Sequence, residues 1–331
     1  MASAAPADKD LIPVTILTGF LGAGKTTLLN RILTEQHGEK IAVIENEFGE
    51  TGIDNDILVR DKQEQIVEMN NGCVCCTVRG DLVRILGDLG KKRSEGKLKF
   101  DRVIIETTGL ANPGPVAQTF FIDESIHSQY LLDAVVTVVD AKHAQKTLDD
   151  HDEARRQVGF ADRIFLSKTD LVPDDKVEDL MKRLRQMNPR AHQRKVHMGN
   201  ADIKEILDIR GFNLNAVLEV DPAFLEDDRH EHDDDVKSFV WRDVRALNME
   251  KIETFLSLMV QNYGEELLRY KGILNVQGEP RRMIFQGVHM LMGGTPGKPW
   301  EAGEKRESVM VFIGRKLPRR LFEEGLAYCV A

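Results

Sequence analysis

One stretch of the sequence limits the folds that this chain can adopt, namely GFLGAGKT at residues 19–26. It fits the pattern G-x-x-x-x-G-K-[ST], follows an apolar β-branched run at residues 14–17 and precedes a helix-like stretch at residues 28–36. This order is typical of a phosphate-binding loop, because its backbone N–H groups curve around the anion at a helix N-terminus. A chance glycine-rich turn is the alternative, and the strand and helix around the loop argue against it.

The residues of this loop have distinct predicted roles. Lys25 is expected to reach the β- and γ-phosphates, and the Thr26 hydroxyl is expected to ligate Mg²⁺. The remaining candidate nucleotide-binding residues of the loop are Gly19, Gly22, Ala23, Gly24 and Thr27.

Short apolar runs alternate with helix-like stretches through the first two thirds of the chain. The strand-like runs are residues 41–44, 103–105, 134–139 and 164–166, and helix-like stretches between them include residues 81–89 and 176–187. This alternation predicts an α/β fold with a doubly wound, mostly parallel sheet.

The pattern changes after residue 225, which we take as the end of a nucleotide-binding domain spanning 1–225. Residues 226–235 hold seven acids together with His230 and His232, and indicate an exposed linker. Beyond it, residues 236–331 contain the strand-like runs VKSFVW, RMIFQGV and SVMVFIG and two helix-like stretches. We therefore predict a smaller C-terminal α+β domain with one sheet and two helices.

Composition excludes several function classes. The net charge of -9 argues against nucleic acid as the main partner, since phosphate contacts require a basic face. The sequence has no apolar run near 18 residues and no signal-peptide pattern at its start, so we expect no membrane partner and a cytoplasmic location.

Two further motifs follow predicted strands. In RVIIETTG, residues 102–109, Glu106 is expected beside the phosphates, acting through a metal-bound water or positioning a switch, and Gly109 is expected to offer its N–H to the γ-phosphate. An ordinary acid at a strand end is the alternative for Glu106.

In FLSKTDL, residues 165–171, Asp170 is expected to accept two hydrogen bonds from guanine, while the stem of Lys168 packs over the base. Adenine lacks that pair of donors. Ser167 stands where Asn or Thr is usual, which affects one supporting contact. A plain helix cap is the alternative.

Three of the four cysteines lie within four residues, in NGCVCC: Cys73, Cys75 and Cys76. A closed structural zinc site needs four ligands, commonly as two C-x₂₋₄-C pairs, whereas this group stands alone and Cys329 is remote in sequence. We therefore expect a metal site completed by other ligands and able to release its ion. Redox chemistry and inert buried thiols are the alternatives.

The acids of IENEFGE, residues 44–50, are candidate further metal ligands, with Glu45 at the end of a predicted strand and Glu50 in the loop after it. Exposed loop acids are the ordinary interpretation of such residues. His230 and His232 are more simply explained as part of a solvated linker than as a metal site.

Together GFLGAGKTTLLN, IAVIENEFGE, NGCVCC, RVIIETTGLANPGPV and SKTD resemble the CobW/YjiA family of P-loop GTPases, and LLRYKGIL, RMIFQGV and VMVFIG extend the resemblance through the C-terminal region. The resemblance implies a GTP- and metal-dependent metallochaperone for Zn²⁺, with Co²⁺ as a second candidate. It also implies that Cys73, Cys75 and Cys76 carry the ion and that Glu45 and Glu50 take part in binding it. The departures are Ser167 and the short histidine tract.

The sequence thus predicts slow hydrolysis of GTP to GDP and phosphate with Lys25, Thr26 and Glu106 in the catalytic machinery. Metal would be delivered to client metalloproteins that dock on the C-terminal domain, and a homodimer is compatible with the pattern. Two alternatives stay open: a passive nucleotide-binding metal buffer, and a P-loop kinase for a small metabolite with Glu106 as its base.

Overall fold

A parallel β-sheet is the framework of the N-terminal part of the chain. The computed structural model describes residues 11–35, 38–45, 66–68, 77–197, 199, 206–207, 209, 236–301 and 303–331. Within these residues the sheet has seven strands in the order β3-β2-β4-β1-β5-β6-β7, and every neighbouring pair is parallel. The strands are β1 (Ile12–Gly19), β2 (Ile41–Glu45), β3 (Ile66–Glu68), β4 (Arg102–Glu106), β5 (Tyr130–Asp140), β6 (Arg163–Ser167) and β7 (His192–Lys195).

Helices connect these strands, as parallel pairing requires. They are α1 (Lys25–Thr34), α2 (Thr77–Ser94), α3 (Gly114–Ile122), α4 (Glu124–His127), α5 (Ala144–Asp150), α6 (Asp152–Phe160) and α7 (Asp174–Met187). The helix predicted at 28–36 begins three residues earlier, because the last residues of the phosphate-loop motif form its first turn. Among the described residues, no helix has the length and apolar character needed to cross a membrane.

Five adjacent strands of this sheet end at the same edge, and the last residue of each belongs to the candidate nucleotide or metal site or lies next to it. In spatial order, β2 ends at Glu45, β4 at Glu106, β1 at Gly19, β5 at Asp140 and β6 at Ser167. In open α/β sheets the ligand binds in the crevice outside the carboxyl ends of the strands. The predicted doubly wound, mostly parallel sheet is therefore confirmed, and it collects motifs that are distant in sequence.

An antiparallel sheet forms the framework of the C-terminal part. Its five described strands are β8 (Val236–Asp243), β9 (Leu267–Leu274), β10 (Arg281–Val288), β11 (Leu291–Pro299) and β12 (Ser308–Arg315), in the order β11-β10-β9-β12-β8. Helices α8 (Met249–Tyr263) and α9 (Arg319–Tyr328) contribute apolar side chains to a core shared with this sheet. Phe322 of α9 and Phe312 of β12 illustrate the packing, with ring centroids 4.9 Å apart. The smaller α+β domain is thus confirmed.

Two strands of this second sheet were not evident as strands in the sequence. β11 contains two prolines and three glycines, which normally weaken a strand, but it lies at the edge of the sheet, where proline is tolerated. β9 is buried throughout even though it carries Arg269 and Lys271, and these charges interrupt the apolar run that marks a central strand.

The chain divides into two compact units. The first consists of the described residues within Met1–Gln157, Ala161–Glu178 and His192–Phe212, and the second of those within Val158–Phe160, Asp179–Ala191 and Asn213–Ala331. The predicted linker at 226–235 lies outside the described residues, so the boundaries at 225 and 236 stay a prediction.

A buried ion pair joins β4 and β5 on either side of the central strand β1. Arg102 Nη1 donates to Asp133 Oδ2 at 2.7 Å, and both side chains are 3% exposed. Thr15 of β1 donates to the same carboxylate oxygen at 3.5 Å. Asp133 lies where the pairing of β1 with β5 shifts by one residue, so the pair stabilises the bulge that sets the register of β1.

Replacing Asp133 by alanine should therefore destabilise the first unit strongly. The Arg102 guanidinium would remain buried, with the half-exposed Glu39 still accepting from its Nε at 3.0 Å, and we expect the free energy of unfolding to fall by about 3 kcal/mol. The double variant Arg102→Met/Asp133→Leu should lose less, because an apolar pair of similar volume leaves no uncompensated charge. Urea denaturation followed by circular dichroism measures both, and equal destabilisation of the two variants would contradict this role.

Candidate functional site

The backbone of the phosphate-binding loop has a conformation that depends on its glycines. Gly19, at the end of β1, has a φ of +147°, and a Cβ at this position would lie 2.3 Å from the carbonyl oxygen of Val138 on β5. Gly22 and Gly24 have φ values of 70° and 100°, in the left-handed region that favours glycine. Gly24 is also the N-cap of α1, so the loop leads directly into a helix N-terminus that is suited to an anion.

Lys25 is the first residue of α1, and its side chain is buried against the loop. Its Nζ donates to the Gly19 carbonyl at 2.9 Å and lies 3.5 Å from the carbonyl oxygen of Phe20. Burial lowers the pKa of Lys25, while the negative charge of Glu106 partly opposes that shift. An ammonium group in a low-dielectric environment attracts an added anion more strongly than it would in water. The position therefore suits the predicted contact of Lys25 with phosphate.

Two oxygen groups suited to Mg²⁺ meet where β4 ends and α1 begins. Thr26 Oγ1 donates to Glu106 Oε1 at 3.1 Å, and Glu106 is 9% exposed. Mg²⁺ prefers hard oxygen ligands and is usually held by one or two protein groups together with waters and phosphate oxygens. This pair of donors fits that preference, and the ion would supply positive charge next to the phosphates of the nucleotide.

The segment that follows Glu106 packs directly on the phosphate loop. A Cβ added to Gly109 would lie 2.7 Å from the backbone nitrogen of Leu21, so a larger residue would displace one of the two segments. Thr108 Oγ1 is buried and has no hydrogen-bond partner in the described part of the chain. An unsatisfied buried hydroxyl is costly, so the Thr108 hydroxyl is suited to a hydrogen bond with a bound group at this point. Thr108 is absent from the residues predicted from sequence, where its only signal is its place between Glu106 and Gly109.

The predicted guanine motif is tied to the phosphate loop by side-chain hydrogen bonds. Ser167 Oγ donates to the Ala23 carbonyl at 2.7 Å, so the serine makes a contact with the loop from this position. Lys168 has a positive φ of 56°, and its Nζ donates to the Gly22 carbonyl at 2.8 Å. The same ammonium donates to Asp140 Oδ2 at 2.7 Å. The motif is therefore held in a fixed position relative to the phosphate loop.

Asp170 follows in a short 3₁₀ turn and is the predicted guanine acceptor. Its side chain is 49% exposed, and His197 Nδ1 lies 3.4 Å from its Oδ1. The carboxylate is thus accessible to a base on the side that solvent reaches, and His197 is a further polar group at this end of the site.

Asp140, at the end of β5, is a site residue that sequence patterns do not reveal. Its Oδ2 accepts from Lys168 and lies 2.9 Å from Nδ1 of His143. Burial raises the pKa of Asp140, but the hydrogen bonds from His143 and Lys168 outweigh burial, so the net pKa is below its usual value. A carboxylate with a lowered pKa contributes stability above its unfolded-state pKa and loses it only as pH falls through the lowered value. The bond to Lys168 therefore persists throughout the neutral range.

Most of the predicted metal ligands cannot be placed. Cys73, Cys75, Cys76 and Glu50 lie outside the described residues, as do His230 and His232. Glu45 ends β2, in register with Glu106 of β4. Cys329 is the C-cap residue of α9, is buried and donates to the Gly325 carbonyl of that helix at 3.1 Å. Across the described ranges, no group of three or more His, Cys, Asp or Glu side chains is arranged to hold a metal ion.

Replacing Asp140 by asparagine should separate positioning of the guanine motif from recognition of the base. The amide keeps the shape of the side chain but removes the charge that holds Lys168, and we expect GDP to bind about fivefold more weakly, or about 1 kcal/mol. The preference for guanine over adenine should remain, whereas Asp170→Ala should remove it. Titrations with fluorescent GDP and ADP measure both quantities, and Asp150→Asn at the end of α5 is the control. Unchanged GDP affinity in Asp140→Asn would contradict this role.

Comparison with known proteins agrees with these features. The family model described as CobW/HypB/UreG, nucleotide-binding domain, matches residues 13–194, and the model of the cobalamin synthesis protein cobW C-terminal domain matches residues 236–330. The zinc chaperone YjiA of Escherichia coli (strain K12) is 44% identical over 319 residues, which cover 96% of this chain and 98% of that protein. The zinc-regulated GTPase metalloprotein activator 1 of Schizosaccharomyces pombe is 33% identical over 350 residues, which cover 94% of this chain and 84% of that protein.

Among solved structures, the crystal structure of Zn(II)-bound YjiA GTPase from E. coli superposes with a TM-score of 0.79 at 37% identity, and the match covers 97% of this chain and 99% of that one. The two family models together span most of the chain, and the relatives match it nearly from end to end. The chain therefore belongs to the CobW/HypB/UreG family of P-loop GTPases, as its motifs predict.

Proposed function

We propose that this protein is a zinc metallochaperone in which GTP controls the binding and release of the ion. The names of its relatives support this proposal, since they include a zinc chaperone and a zinc-regulated GTPase metalloprotein activator. On this chain, the ion is held by Cys73, Cys75 and Cys76, with Glu45 and Glu50 as further ligands. Co²⁺ is the second candidate ion, because thiolate and carboxylate ligands also accept it.

The observation that carries the proposal is the register of three neighbouring strands. Glu45 of β2 is paired with Glu106 of β4 on one side and with Glu68 of β3 on the other. Neighbouring strands lie about 4.8 Å apart, so the chain leaves the same edge of the sheet at three adjacent points. Cys73 follows Glu68 by five residues in the sequence. The segment that contains the cysteines thus begins two strands away from Glu106, the acid of the predicted magnesium site.

This arrangement gives a simple mechanism for coupling. With GTP bound, the segments after Glu45 and Glu106 are ordered by contacts to the γ-phosphate, and the thiolates between them in sequence are gathered around the ion. Attack of water on the γ-phosphorus breaks its bond to the bridging oxygen and yields GDP and phosphate. Loss of the γ-phosphate contacts releases the segment that carries the thiolates, and the ion dissociates.

Clients of this chaperone are metalloproteins, and we propose that they dock on the C-terminal domain. In support, the outer faces of α8 and α9 expose the large side chains Leu258, Leu321 and Tyr328. A homodimer is compatible with the same proposal.

A passive metal buffer is the competing function, and it differs in one measurable respect, namely that its affinity for zinc is independent of the nucleotide.

Zinc affinity should therefore be higher with a non-hydrolysable GTP analogue than with GDP. A coupling free energy of about 1–3 kcal/mol is typical of such linkage, and the analogue must bind more tightly by the same factor when zinc is present. Zinc binding should weaken as pH falls, because the ligands must be thiolates. Competition with a chromophoric zinc chelator, at fixed Mg²⁺, measures both affinities.

The chain supplies a matched control for this experiment. Cys75→Ser should weaken zinc binding and remove the coupling, whereas Cys329→Ser changes a buried thiol that is bonded within α9 and should alter neither. Equal zinc affinities with GDP and with the analogue would refute GTP-controlled delivery and leave the passive buffer.

A further inference from the structure

Gln157 of α6 carries a buried side-chain amide that donates hydrogen bonds to one short segment remote in sequence. It is 1% exposed, and its Nε2 donates to the carbonyl oxygens of Gly109 at 3.1 Å and of Ala111 at 3.0 Å. A primary amide has two N–H donors, and burial is costly unless both are used. Here both are directed at the segment that follows Glu106, 46 to 48 residues away in sequence.

The backbone of Gln157 is itself held in place. Thr137 Oγ1 of β5 donates to the Gln157 carbonyl at 2.9 Å, and Thr137 is buried. The glutamine therefore lies at a point where α6 is bonded to the central part of the sheet. A side chain anchored in this way can restrain a loop instead of following its movements.

The restrained segment is the one predicted to sense the γ-phosphate. Gly109 contacts the phosphate loop at Leu21, and Ala111 N donates to the Thr108 carbonyl at 3.1 Å in a tight turn. In a trans peptide the carbonyl and the following N–H point in opposite directions. With the Gly109 carbonyl directed at Gln157, the N–H of Leu110 faces away from it, and rotating that peptide breaks the bond to Gln157.

We propose that Gln157 is a positioning residue that holds the segment 108–111 in the conformation that binds the γ-phosphate, and thereby sets the discrimination between GTP and GDP. The inference rests on the proposed contact of this segment with the γ-phosphate. GDP lacks that phosphate, so its binding depends on the phosphate loop and the guanine motif and is independent of Gln157. The Gly109 N–H that is predicted to contact the γ-phosphate lies in the adjacent peptide, so its direction depends on the same restraint. Hydrolysis is therefore slowed when the restraint is lost.

Gln157→Met tests this role, because methionine has a similar length and shape but no donor. The dissociation constants of GDP and of a non-hydrolysable GTP analogue are measured at fixed Mg²⁺, together with single-turnover hydrolysis of GTP. We expect the analogue to bind about five- to tenfold more weakly and hydrolysis to slow by a similar factor, with the dissociation constant of GDP within about twofold of wild type. Unchanged GDP binding also shows that the variant is folded.

Two further variants complete the experiment. Gln157→Glu should have a larger effect on the analogue, because a carboxylate would face two carbonyl oxygens. Thr137→Val removes the hydrogen bond that anchors the backbone of Gln157 but keeps its amide, and it should shift the ratio of the two dissociation constants in the same direction by less than Gln157→Met does. Equal weakening of GDP and the analogue in Gln157→Met, or no change in either, would overturn the proposal. The experiment uses nucleotide and Mg²⁺ without zinc, so its outcome is independent of whether zinc affinity responds to GTP.

Discussion

The structure depends on how the carbonyl groups of the phosphate loop are satisfied. A loop that presents its N–H groups to an anion must turn its carbonyls the other way, and each carbonyl then needs a donor from the protein or from water. Three of these carbonyls accept bonds from side chains: Gly19 from Lys25, Gly22 from Lys168 and Ala23 from Ser167. The donors come from the helix that follows the loop and from the guanine motif. The same bonds that shape the phosphate site therefore also fix the position of the base site.

This arrangement explains why the fold tolerates a serine at position 167. A hydroxyl has one donor, and that donor is directed at the Ala23 carbonyl at 2.7 Å. Asp140 adds a second restraint, because it holds the Lys168 ammonium that would otherwise bond to the loop alone. The guanine motif is thus anchored by two side chains to the loop and by one to the neighbouring strand, and Asp170 is left accessible to a base.

The sequence predicts the parts of the site that are local and leaves out those that depend on tertiary contacts. The phosphate loop, Glu106 and the guanine motif each follow an apolar strand, so their common edge follows from a parallel sheet. Asp140 also ends a strand, but a single acid in this position has no recognisable pattern.

Gln157 lies within a helix, and its partners are more than 40 residues away, so no local signal indicates its role. In the second sheet, the sequence does not predict β11 for a related reason. Its glycines and prolines contradict strand propensity, and only its place at the edge of the sheet makes them acceptable.

The electrostatics of the sheet edge bear on the sign of the coupling between nucleotide and zinc. Glu45 and Glu106 are in register on adjacent strands, so a zinc ion held by Glu45 and a magnesium ion held by Glu106 would repel each other. That repulsion is present with either nucleotide and does not distinguish GTP from GDP.

The nucleotides themselves differ, because GTP carries one more negative charge close to Glu106. Replacing GDP by GTP therefore makes the potential at Glu45 more negative and favours a cation there. Electrostatics and the proposed ordering of the loops would thus act in the same direction, and loss of phosphate after hydrolysis would weaken both.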